Sequence, residues 1–121
     1  MFVVARFDIP AEDADDFLGQ AREALAALGA RAGFRSGRVG RSVDEPGVWT
    51  VLTEWEGVGA YRRALSAYDV KVRATPLLAR ARDEASAFET LLHDDGVRAV
   101  TTTSDRQSDV SGPGNRGGDG R

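Results

Sequence analysis

Five side chains in this 121-residue sequence carry chemistry that could act together. Trp49, Trp55, Tyr61 and Tyr68 offer aromatic faces, the two tyrosines add hydroxyl donors, and Arg6 places a cation inside the apolar run FVVARFD. Aromatic faces with hydroxyl donors and a cation are parts from which a site for an aromatic or anionic ligand could be built. Each also has a plainer reading. Trp55 and Tyr61 would serve as packing where a sheet meets a helix, Trp49 as core or subunit interface, and Arg6 as the ion-pair partner of a strand acid such as Glu54.

The missing residue types narrow the chemistry. With no Cys, disulfides, zinc-thiolate sites, iron–sulfur clusters and a Cys nucleophile are excluded. The single His, His93, leaves His-rich metal sites and most imidazole relays without parts. Asp13, Asp15 and Asp16 stand at a helix start, with Asp13 as N-cap, so no metal is expected there. His93 with Ser86 and Asp94 lies at the root of a flexible segment and cannot hold a triad. Gly57 and Gly59 lack both the phosphate-loop Lys and the third Gly of a dinucleotide fingerprint. Sixteen basic against nineteen acidic residues give a net charge of −3, which attracts neither nucleic acid nor anionic lipid. Arg35, Arg38, Arg41, Arg62 and Arg63 could frame an acidic ligand but read better as a solvated face. The N-terminal apolar run is too short and too polar for a signal segment or a membrane span, and a cytoplasmic location is expected.

Positioning these residues requires a scaffold, and the pattern supplies one. Residues 2–8 are β-branched and aromatic, a strand apolar on both faces. From about Asp13, Phe17, Leu18, Ala21, Leu25 and Leu28 form the stripe of an amphipathic helix. Residues 34–43 read as a strand with a bulge at Gly37 or Gly40, and VDEPG is a turn leading into the strand GVWTVLTEWE, so the two strands pair as a hairpin. A helix then carries Tyr61, Leu65, Tyr68 and Val72, breaks before Pro76 and resumes briefly with Leu77 and Leu78. SAFETLL at 86–92 closes the sheet. The order βαββαβ is α+β and ferredoxin-like, a four-stranded antiparallel sheet with helices on one face. The bare face is expected to meet a second copy in a homodimer. The domain spans 1–92, and 93–121 is read as a disordered tail rich in Gly, Ser and Asp.

The stretch PGVWTVLTEWEGVGAYRRALSAYDVKVRATPLL, a hairpin ending in Trp and an acid with a helix following, resembles the antibiotic biosynthesis monooxygenase family of dimeric α+β barrels. The resemblance covers about residues 1–92. It implies a small aromatic, anthrone or quinol-type substrate and oxidation by molecular oxygen with no cofactor, the electron-rich substrate anion giving the first electron. In the anthrone-oxidising members a Trp and a Tyr six residues later line the cavity, matched by Trp55 and Tyr61, which the resemblance makes catalytic. Arg6, Trp49 and Tyr68 are the substrate-binding candidates beside them. Two positions depart from the family: Val51 stands where those members carry an Asn, and Ala64 lies near where many carry a His. Haem degradation, another activity of the family, lacks its Asn, Trp and His. The alternative reading is a non-catalytic dimeric module of the same fold that binds a small ligand or only assembles.

Overall fold

The computed structural model describes residues 1–103, and the chain divides after Phe88 into two compact units. In the first, β1 (Phe2–Asp8) leads through a 3-10 turn (Ala11–Asp13) into α1 (Ala14–Gly29). Strands β2 (Phe34–Arg41) and β3 (Val48–Trp55) follow, then three short helices, α2 (Val58–Ser66), α3 (Tyr68–Arg73) and α4 (Thr75–Leu78), and β4 (Ala87–Phe88). The antiparallel sheet has the order β2-β3-β1-β4, with β1 and β3 paired along their whole length from Phe2 opposite Glu54 to Asp8 opposite Val48.

Strand periodicity sorts the side chains. Val3, Ala5 and Phe7 of β1 and Trp49, Val51, Thr53 and Trp55 of β3 are buried, and they share one core with Phe17, Ala21, Ala24, Ala27 and Leu28 of α1. Phe17 is the hub of that core, with its ring 4.9 Å from Phe7 and 5.4 Å from Trp49. Small residues let α2 lie close to the sheet: Ala60 and Ala64 are buried. Gly33, at φ +89°, is held where an added Cβ would stand 2.4 Å from the Ala60 methyl, so only glycine fits both the backbone and the space. The opposite face of the sheet carries Phe2, Val4 and Leu52, half-buried, beside the exposed Arg6 and Asp8. It is therefore mixed, where the sequence predicts an apolar surface.

Several local expectations are corrected. Asp13 stands at the N-cap of α1 but makes no capping hydrogen bond with its side chain. Leu18 turns outward at 38 % exposure, and Ala24 and Ala27 complete the buried stripe instead. The bulge falls between Phe34 and Ser36, not at a glycine. At Gly37 a Cβ would lie 2.8 Å from a terminal methyl of Leu25 and 3.1 Å from the Phe34 ring, so a side chain there would displace both. The helical region breaks twice: before Pro76 as expected, and also at Ala67, whose backbone is extended. The Ser66 hydroxyl donates to the Arg63 carbonyl at 2.8 Å, taking up a group that the end of α2 leaves open.

The closing edge is displaced toward the N-terminus. Regular pairing covers only Ala87 and Phe88, but the chain already tracks β1 from residue 82. The Arg82 amide donates to the Arg6 carbonyl at 2.8 Å, and the Val4 amide to the Ser86 carbonyl at 2.7 Å. Beyond Phe88, β5 (Leu92–Asp94) and β6 (Ala99–Thr101) form a separate two-stranded hairpin within the segment expected to be disordered. Its turn is closed by Asp94 and Asp95 carboxylates accepting from the amides of residues 96–98, with Gly96 at φ +86°. The rest of the expected tail, 104–121, lies outside the described residues. Among the described residues no helix is long and apolar enough to cross a membrane.

Candidate active site

The sheet and the three short helices do not close completely. Between β1 and α2–α4 lies a cavity of about 650 Å³, within the size range of small-molecule sites. Its walls are mostly apolar: Val3 and Ala5 from β1, Leu65 from α2, Leu78 from α4, and Ala79 and Ala81 just after it. Four polar side chains reach it, Tyr61, Lys71, Thr75 and Ser86. Strand alternation explains why β1 contributes Val3 and Ala5, and the double break at Ala67 and before Pro76 bends the helical segment so that α2, α3 and α4 each supply a wall.

Tyr61 is the one residue of the sequence-derived set that lines this cavity. Its ring is tilted against Trp55 at 5.6 Å, and its hydroxyl makes no hydrogen bond among the described residues. Burial pushes its phenol above the ordinary tyrosine value, so it is fully protonated at neutral pH and acts as a donor. Trp55 is 1 % exposed and supports Tyr61 from behind. Its indole N–H donates to the Thr53 hydroxyl at 2.9 Å, and Phe34 meets it edge-on at 5.2 Å. The polar ends of both buried side chains thus satisfy each other.

The other candidates lie elsewhere. Trp49 is core, packed on Phe17 with the Arg41 guanidinium 5.5 Å over its ring. Tyr68 is 82 % exposed at the start of α3 and does not line the cavity. Arg6 projects on the open face of the sheet, where it forms a two-pronged ion pair with Glu84 at 2.8 and 3.0 Å. Glu54, expected as its partner, instead accepts from the Ser36 hydroxyl at 2.7 Å. A second such pair joins Arg82 to Asp8 at 2.6 and 3.0 Å. The hydrogen bond from Arg6 holds the Glu84 carboxyl below its ordinary value, and that from Arg82 does the same for Asp8. Val51 and Ala64, at the two departing positions, are both buried and apolar. Among the described residues no group of three or more acidic or His side chains converges as a metal site.

Lys71 and Thr75 were not singled out from the sequence, and Ser86 was weighed only as a triad member with His93 and Asp94 and set aside. A signal existed for one of them: Lys71 is the only lysine of a chain with fifteen arginines. Nothing in the sequence pointed Thr75 or Ser86 to this cavity, because their place depends on the helix break and on the displaced closing edge.

A family model described as antibiotic biosynthesis monooxygenase matches residues 1–72. No curated protein matches the chain. Among known structures, the fold is similar to that of SnoaB from Streptomyces nogalater, a cofactor-independent oxygenase, at 21 % identity and a TM-score of 0.58 over 87 % of this chain and 92 % of that one. A conserved protein from Methanosarcina mazei Go1 gives 21 % identity and a TM-score of 0.58 over 71 % and 84 % of the two chains. A structure titled antibiotic biosynthesis monooxygenase gives 16 % and 0.56 over 85 % and 96 %. At these identities the likeness establishes the fold.

Proposed function

The chain belongs to the antibiotic biosynthesis monooxygenase family, and from that premise we propose that it is a cofactor-independent monooxygenase acting on a small aromatic, anthrone or quinol-type substrate in the cavity beside Tyr61. The observation that carries this reading is the Tyr61 phenol, protonated and without a hydrogen-bond partner among the described residues, at an otherwise mostly apolar cavity large enough for a fused aromatic ring. A hydroxyl so placed donates to a substrate oxygen and stabilises the enolate or phenolate that must form before reaction with oxygen. Trp55 is a positioning residue, holding the Tyr61 ring from the core side.

For an anthrone the reaction balances without an added reductant. The substrate methylene loses two hydrogens, one oxygen atom becomes its carbonyl, and the other leaves as water with those hydrogens; all four electrons come from the substrate. The protein's part is to bind the ring, favour the anion and exclude water.

We further propose that the protein works as a homodimer through the open face of the sheet, where Phe2, Val4, Leu52 and Phe88 leave apolar surface without a covering helix. A second reading, a non-catalytic ligand-binding module, is favoured by the apolar side chains at Val51 and Ala64. Oxygen uptake separates the two. Protein treated with chelator and shown to be flavin-free is mixed with a panel of anthrones, quinols and phenols. The monooxygenase reading expects uptake with at least one, reduced in Tyr61→Phe; binding without uptake across the panel selects the module.

A further inference from the structure

We infer that the cavity selects aromatic ligands carrying an ionised acidic group, and that Lys71 is the residue that reads that charge; the inference rests on the reading of the cavity as the substrate site. Lys71 is an exposed residue that nonetheless lines the cavity, which places it at the rim. None of the lining residues is acidic, so its ammonium meets no carboxylate there.

Its uncommitted state sets it apart from the next three basic residues of the chain. Arg73 is held by Glu23 and Asp69, and Arg82 by Asp8. Arg80 donates to the Gln20 amide oxygen at 2.8 Å and lies 5.9 Å over the Phe17 ring. Lys71 forms no ion pair among the described residues. An apolar interior with one unpaired cation among the described residues at its edge orients a ligand: the ring goes inward against Val3, Leu65 and Leu78, and the acidic group stays at the rim beside the ammonium. The chain's net charge of −3 offers an anion no general attraction, so discrimination falls to this local contact.

The test compares 2-naphthoate with 2-naphthalenemethanol, the same ring with and without charge, by calorimetric titration of the full chain. Wild-type protein is expected to bind the anion about fivefold more tightly, the scale of a partly exposed ion pair. Lys71→Gln should erase that preference while leaving affinity for the neutral probe unchanged, and Lys71→Arg should restore most of it. Because Lys71 is the only lysine, reductive 13C-methylation labels it and the N-terminal amine alone. The Lys71 methyl signal should move with naphthoate and not with the alcohol. Equal affinity of wild type for both probes, or a preference that survives Lys71→Gln, overturns the inference and leaves the cavity reading standing. Binding of neither probe overturns the cavity reading as well.

Discussion

Alternate residues of β1 meet different surroundings on the two faces of the sheet. Val3, Ala5 and Phe7 face the helices, the first two lining the cavity. Arg6 and Asp8 face away and are tied to Glu84 and Arg82. On the helix side two polar groups stay uncommitted: the Tyr61 hydroxyl and the Lys71 ammonium have no hydrogen-bond or ion-pair partner among the described residues. On the open side the strand charges are already paired. A side chain available for a ligand is one that the fold has left unsatisfied, and on that ground we place the proposed site in the cavity and count Arg6 as part of the frame.

Substitutions on the two faces should therefore fail in different ways. The largest effect is expected from Trp55→Ala, which empties the core behind Tyr61 and should cost about 3–5 kcal/mol of stability, measured by denaturant unfolding. A cost below about 1 kcal/mol would mean that Trp55 is less central than its 1 % exposure implies. On the open face, Leu52→Asp should leave the protomer folded but shift sedimentation from dimer to monomer; an unchanged dimer would place the interface elsewhere. Tyr61→Phe should change stability by no more than about 0.5 kcal/mol, since its hydroxyl has no hydrogen-bond partner among the described residues, yet lower turnover. A large stability loss would instead reveal the hydroxyl as a buried structural bond.

The smallest effects concern titration. Asp8 and Glu84 have lowered carboxyl values, so their contribution is present above the ordinary carboxylate range and is lost as pH falls through and below about 4. Because both pairs are exposed, salt should weaken the contribution, and Arg6→Ala should lower the melting temperature only slightly. Tyr61 is shifted the other way. Its contribution is intact below about pH 10, where the unfolded chain's tyrosine ionises, and falls as pH rises beyond. Melting curves across pH in wild type and Tyr61→Phe isolate that alkaline loss.

The parts of this fold governed by periodicity were legible in the sequence. The FVVARFD strand, the hairpin through VDEPG and the helix bearing Phe17 and Leu28 each carry a repeat that only one element satisfies. Features governed by tertiary context were not. Ala67 has no intrinsic tendency to break a helix, so the break between α2 and α3 depends on how those helices fit the sheet. The closing edge begins at residue 82 because backbone bonds and two ion pairs hold that segment along β1, a pairing across more than seventy residues that no local pattern announces. In the hairpin after Leu91, a local signal existed: Asp-Asp-Gly is turn chemistry, but the Gly- and Ser-rich composition around it pointed to disorder. Of the two residues that the family resemblance named, Tyr61 lines the cavity and Trp55 lies in the core behind it. The site was not legible at Lys71, whose meaning depends on a cavity that exists only in the folded chain.

The central claim is oxygen chemistry run by the substrate's own electrons in the Tyr61 cavity. Its most direct test is turnover of an anthrone under 18O2 by metal- and flavin-free protein, with mass analysis of the product. One labelled oxygen per product molecule, formed faster by wild type than by Tyr61→Phe and faster by either than in buffer, is the predicted result. Product formed no faster than in buffer, or carrying oxygen from water alone, would contradict the account.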